Sequence, residues 1–281
     1  MNTIQAIIMA IVEGITEYLP VSSTGHIMMA AAFMDIRTTD FVKLFTIAIQ
    51  FGAILSVVVL YFKRFFQSLD FYLKLLVAFL PAVVLGILLG DLIDAALENV
   101  LIVALNLFLG GLLLLFVDHW FAKNEISSPP SYPSGEASRS DIQHTNTRIT
   151  YLNALIIGIF QTIAMIPGVS RSASTIVGGL SQGLNRKTAA EFSFLLAVPT
   201  MFAATCKKLY DFYKTHGFPS SEEYTLLLIG NMVAFLVAMA AIRFFINWLS
   251  QNGFRVFGWY RIVVGAILFL LYVLGYDLRL L

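Results

Sequence analysis

The chain has 281 residues, 58% of them hydrophobic and 12% charged, with a net charge of +1 and a mean hydropathy of +0.82. That balance excludes an ordinary soluble domain, and without a basic surplus nothing points to a nucleic-acid partner. The lone Cys206 excludes an internal disulfide and a cysteine-built metal site.

In chain order, the start Met1-Asn-Thr-Ile-Gln-Ala lacks a basic leader region and no small-residue cleavage site follows, so a retained N-terminus is expected. The segment 3–34 is apolar but broken by Pro20 and Gly25 amid polar groups, where a continuous membrane helix would need backbone hydrogen bonds. Runs long enough to cross a bilayer, which takes about 20 residues, follow at roughly 44–62, 72–90 and 100–117. The stretch 124–146 is polar and rich in Ser and Pro, a linker in character. Its Pro133-Ser134-Gly135-Glu136 looks like the Pro-Ser-Gly-His block of acid-phosphatase-type lipid phosphatases, but Glu stands in place of the catalytic His, and chance is the better reading. The segment 150–184 is again apolar and broken, by Pro167 and Gly168, and three further spans are expected at 190–206, 226–246 and 259–276. Trp120, Trp248 and Trp259 fall near span ends, as interfacial aromatics do.

A shift of 147 residues lays Pro20 on Pro167, Ser23 on Ser170 and Phe45 on Phe192, and a shift of 155 lays Gly110 on Gly265, the longer connector 207–224 absorbing the difference. The expected fold is therefore an all-α polytopic membrane protein. It holds six full transmembrane helices plus two re-entrant helix-loop-helix pairs, arranged as an inverted repeat, because three crossings per half turn the second copy upside down. The halves are 1–123 and 147–281, with 124–146 between them. Lys63, Arg64, the 118–150 loop with Lys123, Arg139 and Arg148, and the Arg243/Arg255 connector fall on one side, expected to be cytoplasmic. The connector 91–99, with Asp91, Asp94 and Glu98, and both termini then face outward. Lys207, Lys208 and Lys214 run against that assignment.

Ionisable groups inside a membrane are costly and mark function by default. Glu13 and Glu17 stand four apart, on one helical face. They either line a hydrated crevice or hold a divalent cation shared with phosphate oxygens. Ser22, Ser23 and Thr24 follow Pro20 and either cap a new helix or supply a nucleophile or phosphate ligand, with His26 near enough to move a proton or to attack phosphorus itself. In Pro167-Gly168-Val169-Ser170-Arg171-Ser172, the glycine permits a turn and a helix start directs N–H groups at an anion. Arg171 offers a planar fork that fits phosphate oxygens or pairs with Glu13 or Glu17. Gln50, Gln161, Asn106 and Tyr18 either tune this pocket or are each simply a satisfied polar group between helices.

The blocks Glu-Gly-x-Thr-Glu-x-Leu-Pro-Val-Ser-Ser-Thr-Gly-His at 13–26 and Pro-Gly-x-Ser-Arg-Ser at 167–172 closely resemble the signatures of the bacitracin-resistance family of undecaprenyl-diphosphate phosphatases. The resemblance covers essentially the whole chain. It implies a multi-pass enzyme of the bacterial inner membrane that removes the terminal phosphate of undecaprenyl diphosphate, recycling the carrier lipid for cell-wall synthesis and conferring bacitracin resistance. It also implies a site open toward the periplasm and dependence on a divalent cation, Mg or Ca. The family's acidic motif falls on Glu13 and Glu17, its serine on Ser23, its histidine on His26 and its arginine on Arg171.

In the expected mechanism Ser23 or a His26-linked nucleophile attacks, with Glu17 assisting proton transfer and Arg171 stabilising the transferring phosphoryl charge. Glu13 and Glu17 hold the cation, and Ser22, Thr24, Gly168, Ser170 and Ser172 bind substrate. The expected partners are a polyprenyl diphosphate lipid, the bilayer and, as a candidate, a second copy of the chain. The alternative is a flippase that carries a polyprenyl phosphate lipid, suggested by the repeat and the midplane polar site. A prenyl synthase is disfavoured, since no Asp-Asp-x-x-Asp block occurs.

Overall fold

The computed structural model describes residues 1–63, 69–97, 99–122 and 149–276. Arg64, Glu98 and the linker 124–146, with its Pro-Ser-Gly-Glu block, lie outside the described residues. Every regular element among the described residues is a helix. In the first half these are α1 (Thr3–Thr16), α2 (Ser23–Phe33), α3 (Asp40–Leu60), α4 (Leu69–Leu88), α5 (Gly90–Leu97) and α6 (Val100–Trp120). The second half holds α7 (Tyr151–Ile163), α8 (Arg171–Ser181), α9 (Arg186–His216), α10 (Ser221–Asn252) and α11 (Arg255–Val273). Six of them, α3, α4, α6, α9, α10 and α11, are long and apolar enough to cross a membrane, as expected. The chain is an all-α polytopic membrane protein.

Local chemistry sets the boundaries. α1 opens on a capping box in which Gln5 N–H donates to Asn2 Oδ1 and Asn2 N–H to Gln5 Oε1. α7 opens on the same device, built from Thr150 and Asn153. Pro20 and Pro167 lack the N–H that would carry α1 or α7 onward, and a short turn leads in each case to a new helix at Ser23 or Arg171. Both broken segments are thus helix-turn-helix pairs.

Three boundaries differ from expectation. α9 runs 31 residues and α10 runs 32, about 46–48 Å each, well past the roughly 30 Å of a hydrocarbon core. The connector expected at 207–224 shrinks to 217–220, between the positive-φ Gly217 that ends α9 and Ser220, which caps α10. Polar residues in the last turns of α9 hide this continuation from a hydropathy reading. The connector between α4 and α6, expected at 91–99, also holds a short helix of its own, α5.

Side-chain ties sort the helix ends onto two faces. Asp118 accepts from Arg186 Nη2 at 2.8 Å and from the Phe254 N–H at 2.8 Å, joining the end of α6 to the starts of α9 and α11. Tyr151 Oη donates to Asp70 Oδ1 at 2.8 Å, so α7 starts beside the start of α4, which alternation of crossings puts on that same face. On the opposite face His216 and Asp40 approach to 3.1 Å, joining the end of α9 to the start of α3. Gln5 Nε2 donates to the Met34 carbonyl at 3.1 Å, closing the α1–α2 pair on that face. The two broken pairs therefore enter from opposite faces.

The halves interlock reciprocally. α1 packs on α10 while α7 packs on α4, and α6 and α11 form the most extensive pair. Small residues permit these approaches. A Cβ on Gly14 would meet the Ala234 carbonyl, one on Gly158 the Ala78 carbonyl, and one on Gly111 the Gly258 carbonyl.

Candidate active site

The tips of both broken pairs meet inside the molecule, beside a cavity of about 800 Å³. Each new helix starts from a serine in an unusual backbone conformation. Ser22, before α2, has φ 68° and ψ 99°, and Ser170, before α8, has φ 76° and ψ 116°. Such positive φ at a residue with a side chain costs of order 1–3 kcal/mol and collects at functional sites. Gly168 is required twice over. Its φ is +88°, and a Cβ there would collide with the Val103 carbonyl of α6.

From these tips Glu17, Ser23 and Arg171 come together. Ser23 Oγ donates to Glu17 Oε2 at 2.8 Å, and Arg171 Nη2 donates to Glu17 Oε1 at 2.9 Å. Arg171 is itself held by the Ser193 carbonyl of α9 at 3.0 Å, with Tyr18 below it, ring centroid 5.5 Å from Cζ. A hydroxyl, a carboxylate within reach of its proton and a guanidinium that fixes the carboxylate form the arrangement of an activated nucleophile. The Arg171 Nε and the Glu13 Oε1 are buried with no hydrogen-bond partner among the described residues. Each is a buried polar atom that a bound group could satisfy. Glu13, Glu17, Ser22, Ser23, Thr24, Gly168, Ser170 and Arg171 all line the cavity, as do Gln50 and Gln161.

Not every expected site residue points there. His26 is outside the lining set: its Nδ1 lies 2.8 Å from the Ser22 carbonyl and its Nε2 2.7 Å from Tyr260 Oη of α11, whose ring it stacks on. A carbonyl only accepts, so Nδ1 carries the hydrogen. In the neutral ring Nε2 then accepts the Tyr260 hydroxyl, and both nitrogens are occupied. Ser172 likewise turns away, donating to the Leu19 carbonyl at 2.8 Å and so pinning one tip to the other. Tyr18 donates to Ala53 O and Asn106 Nδ2 to Pro167 O.

Sequence reasoning missed Arg261. Wholly buried in α11, it donates to the carbonyls of Pro20 (3.2 Å), Val169 (2.9 Å), Gly168 (2.9 Å) and Asn106 (3.1 Å). It clamps both breaks at once, supplying donors to carbonyls that the interrupted helices leave open. The signal was present in the sequence, since an arginine inside an expected span is itself a functional hypothesis. Asn106 and Arg261 are also related by the 155-residue shift, and each donates to the motif proline of the opposite half.

The donor set suits a hard cation. No group of three or more His, Cys, Asp or Glu occurs among the described residues, but two carboxylates with the remaining positions taken by substrate oxygens and water are what magnesium accepts. The partnerless Glu13 Oε1, one helical turn from Glu17, is a buried oxygen that such an ion would satisfy.

Comparison with known proteins supplies the family. A protein named undecaprenyl-diphosphatase from Flavobacterium johnsoniae is 58% identical over 280 residues, the full length of both chains. Another of that name from Porphyromonas gingivalis is 49% identical over 99% of each chain, and one from Aquifex aeolicus is 44% identical over 94% of this chain and 96% of its own. The family model described as bacitracin resistance protein BacA matches residues 6–267, and the chain belongs to that family.

Proposed function

We propose that the protein is an undecaprenyl-diphosphate phosphatase of the bacterial inner membrane, releasing phosphate and returning undecaprenyl phosphate for cell-wall synthesis. The Ser23–Glu17–Arg171 contact chain carries this reading. Ser23 Oγ attacks the terminal phosphorus while Glu17 takes its proton. The phosphorus–oxygen bond to the lipid phosphate breaks, Glu17 passes the proton to the departing oxygen, and undecaprenyl phosphate leaves, which returns Glu17 to its carboxylate form. Water, deprotonated by Glu17, then attacks the phosphoserine, freeing inorganic phosphate and restoring the Ser23 hydroxyl. Arg171 and the N–H groups at the start of α8 stabilise charge on the phosphoryl oxygens. Glu13 and Glu17 are the residues that would hold a divalent cation, Mg or Ca, which when bound neutralises charge on the diphosphate.

His26 acts in this scheme through the Ser22 carbonyl rather than on phosphorus. The cavity opens on the face opposite the linker, which is periplasmic if the linker is cytoplasmic. The halves 1–123 and 147–281 are copies of one unit joined by 124–146, a reading supported by the reciprocal Asn106–Pro167 and Arg261–Pro20 bonds. A carrier for the same lipid would need Arg171 for charge complementarity but no hydroxyl held against a carboxylate, and the relatives' shared name also favours hydrolysis.

The test is phosphate release from undecaprenyl diphosphate by the purified protein in detergent, combined with rapid quenching of labelled substrate. Wild type should release phosphate and trap an acid-stable, alkali-labile adduct on Ser23, and Ser23→Ala should do neither. Absence of phosphate release at any divalent cation concentration would overturn the enzyme reading. An acid-labile adduct on His26 would overturn the choice of nucleophile.

A further inference from the structure

Two lysines sit where the charge rule for membrane proteins leaves them unexplained. Lys207 and Lys208 lie in the last third of α9, the part that runs toward the face opposite the start of that helix, and both line the cavity. Lys207 is exposed, as are Ile87 and Leu88 at the end of α4, so these residues mark the cavity's open end. The Lys207 Nζ stands 3.7 Å from the position a Cβ on Gly90 would take, and Gly90 is the first residue of α5. The ammonium and the N–H groups at that helix start are both donors that an anion can accept from.

Depth separates this pair from the chemistry. Along α9, Lys207 is about 21 Å from Ser193, whose carbonyl holds Arg171. Ala82, Val83, Met201 and Ala204 wall the space between. A diphosphate entering from the open end meets the lysines first, then an apolar stretch, then Arg171. That order matches a lipid headgroup whose prenyl chain is itself apolar.

We propose that Lys207 and Lys208 form an anion-recruiting site at the cavity mouth, capturing the phosphate groups of the lipid diphosphate before they reach Arg171. The proposal rests on the phosphatase reading and assigns the lysines to substrate capture, not to chemistry. It also explains their place toward the outer face, against the charge rule.

The experiment compares purified wild type with Lys207→Gln, Lys208→Gln, the double Gln variant and the double Arg variant in neutral detergent. It measures kcat and KM for undecaprenyl diphosphate at low and high salt, the inhibition constant for inorganic phosphate, and thermal unfolding. The double Gln variant should raise KM about tenfold at low salt with kcat within about twofold, the gap should narrow in high salt, and the double Arg variant should keep the wild-type KM. Lysines that only pair with acids of α5, where Asp91 and Asp94 follow Gly90 in sequence, would lower the unfolding temperature and leave KM unchanged, which overturns the proposal. A rise confined to the inhibition constant for inorganic phosphate would place the site on the product's path and overturn it too. If wild type releases no phosphate, it is the phosphatase reading that has failed.

Discussion

Arg171 spends its two terminal nitrogens on Glu17 and the Ser193 carbonyl, with Nε buried and without a hydrogen-bond partner among the described residues, and that geometry needs a planar, multidentate cation. An ammonium is a point charge that cannot hold Glu17 and face a phosphate together. Arg171→Lys should therefore lower kcat by about 10²–10³, read in a phosphate-release assay; near-wild-type turnover would remove Arg171 from transition-state stabilisation. The two glutamates should separate in the same assay. Glu17→Gln removes the group that accepts the Ser23 proton and should lower kcat by about 10²–10⁴. Glu13→Gln should chiefly raise the divalent cation concentration needed for half-maximal activity, because an amide oxygen lacks the charge that draws a hard cation. Unchanged activity of wild type in excess chelator, with no metal found by elemental analysis, would end the cation assignment. Residue types at these positions were legible in the sequence because carboxylates, hydroxyls and a guanidinium stood out against apolar surroundings. The direction of a side chain was not. His26 lies three residues after Ser23, which spacing alone would put near the same helical face, yet its ring turns to Tyr260, and that partner is 234 residues away in sequence.

The two broken pairs depend on groups borrowed from full-length helices, and this sets what a substitution can do at the scale of an element. Arg261 feeds carbonyls of both breaks from α11, so Arg261→Met would leave several buried acceptors without donors, each costing about 1–3 kcal/mol. The expected outcome is a large fall in unfolding temperature in detergent together with lost activity, whereas Tyr260→Phe, one residue before it, removes a single hydrogen bond and should cost about 1 kcal/mol. Equal stability of the Arg261→Met variant and wild type would show that the clamp is dispensable. Gly168→Ala tests the same joint from the other side, since both its positive φ and the Val103 carbonyl oppose a Cβ. The breaks were legible because proline and glycine interrupt an apolar run. Their register was less so. The motif alignment lays Ser23 on Ser170, but the residues in the same backbone role are Ser22 and Ser170, the two positive-φ helix caps. The second turn carries one more residue between its proline and its cap, the added step being Gly168, and a constant shift cannot register it.

For the molecule as a whole, the entry of the two broken pairs from opposite faces was legible from counting crossings, because an odd number of spans, α3, α4 and α6, stands between them. What no count supplies is which helix ends meet, and those ties are made by single polar pairs far apart in sequence, Asp118 with Arg186 and Asp40 with His216. They make the topology testable. Ala122, at the end of α6, is exposed on the linker face, and Thr215, in the last turn of α9, is exposed on the face where the cavity opens. Basic residues near the ends of α3, α6 and α10 and at the start of α9 favour a cytoplasmic linker face. In a Cys206→Ser background, cysteine at position 215 should react with an impermeant thiol reagent added outside intact cells, and cysteine at position 122 should react only after the membrane is opened. Labelling of both from outside would break the alternation of crossings. Exchange of the two outcomes would keep the opposite entry of the two pairs but turn the cavity mouth, with Lys207 and Lys208, toward the cytoplasm, where it could receive lipid only from the inner leaflet.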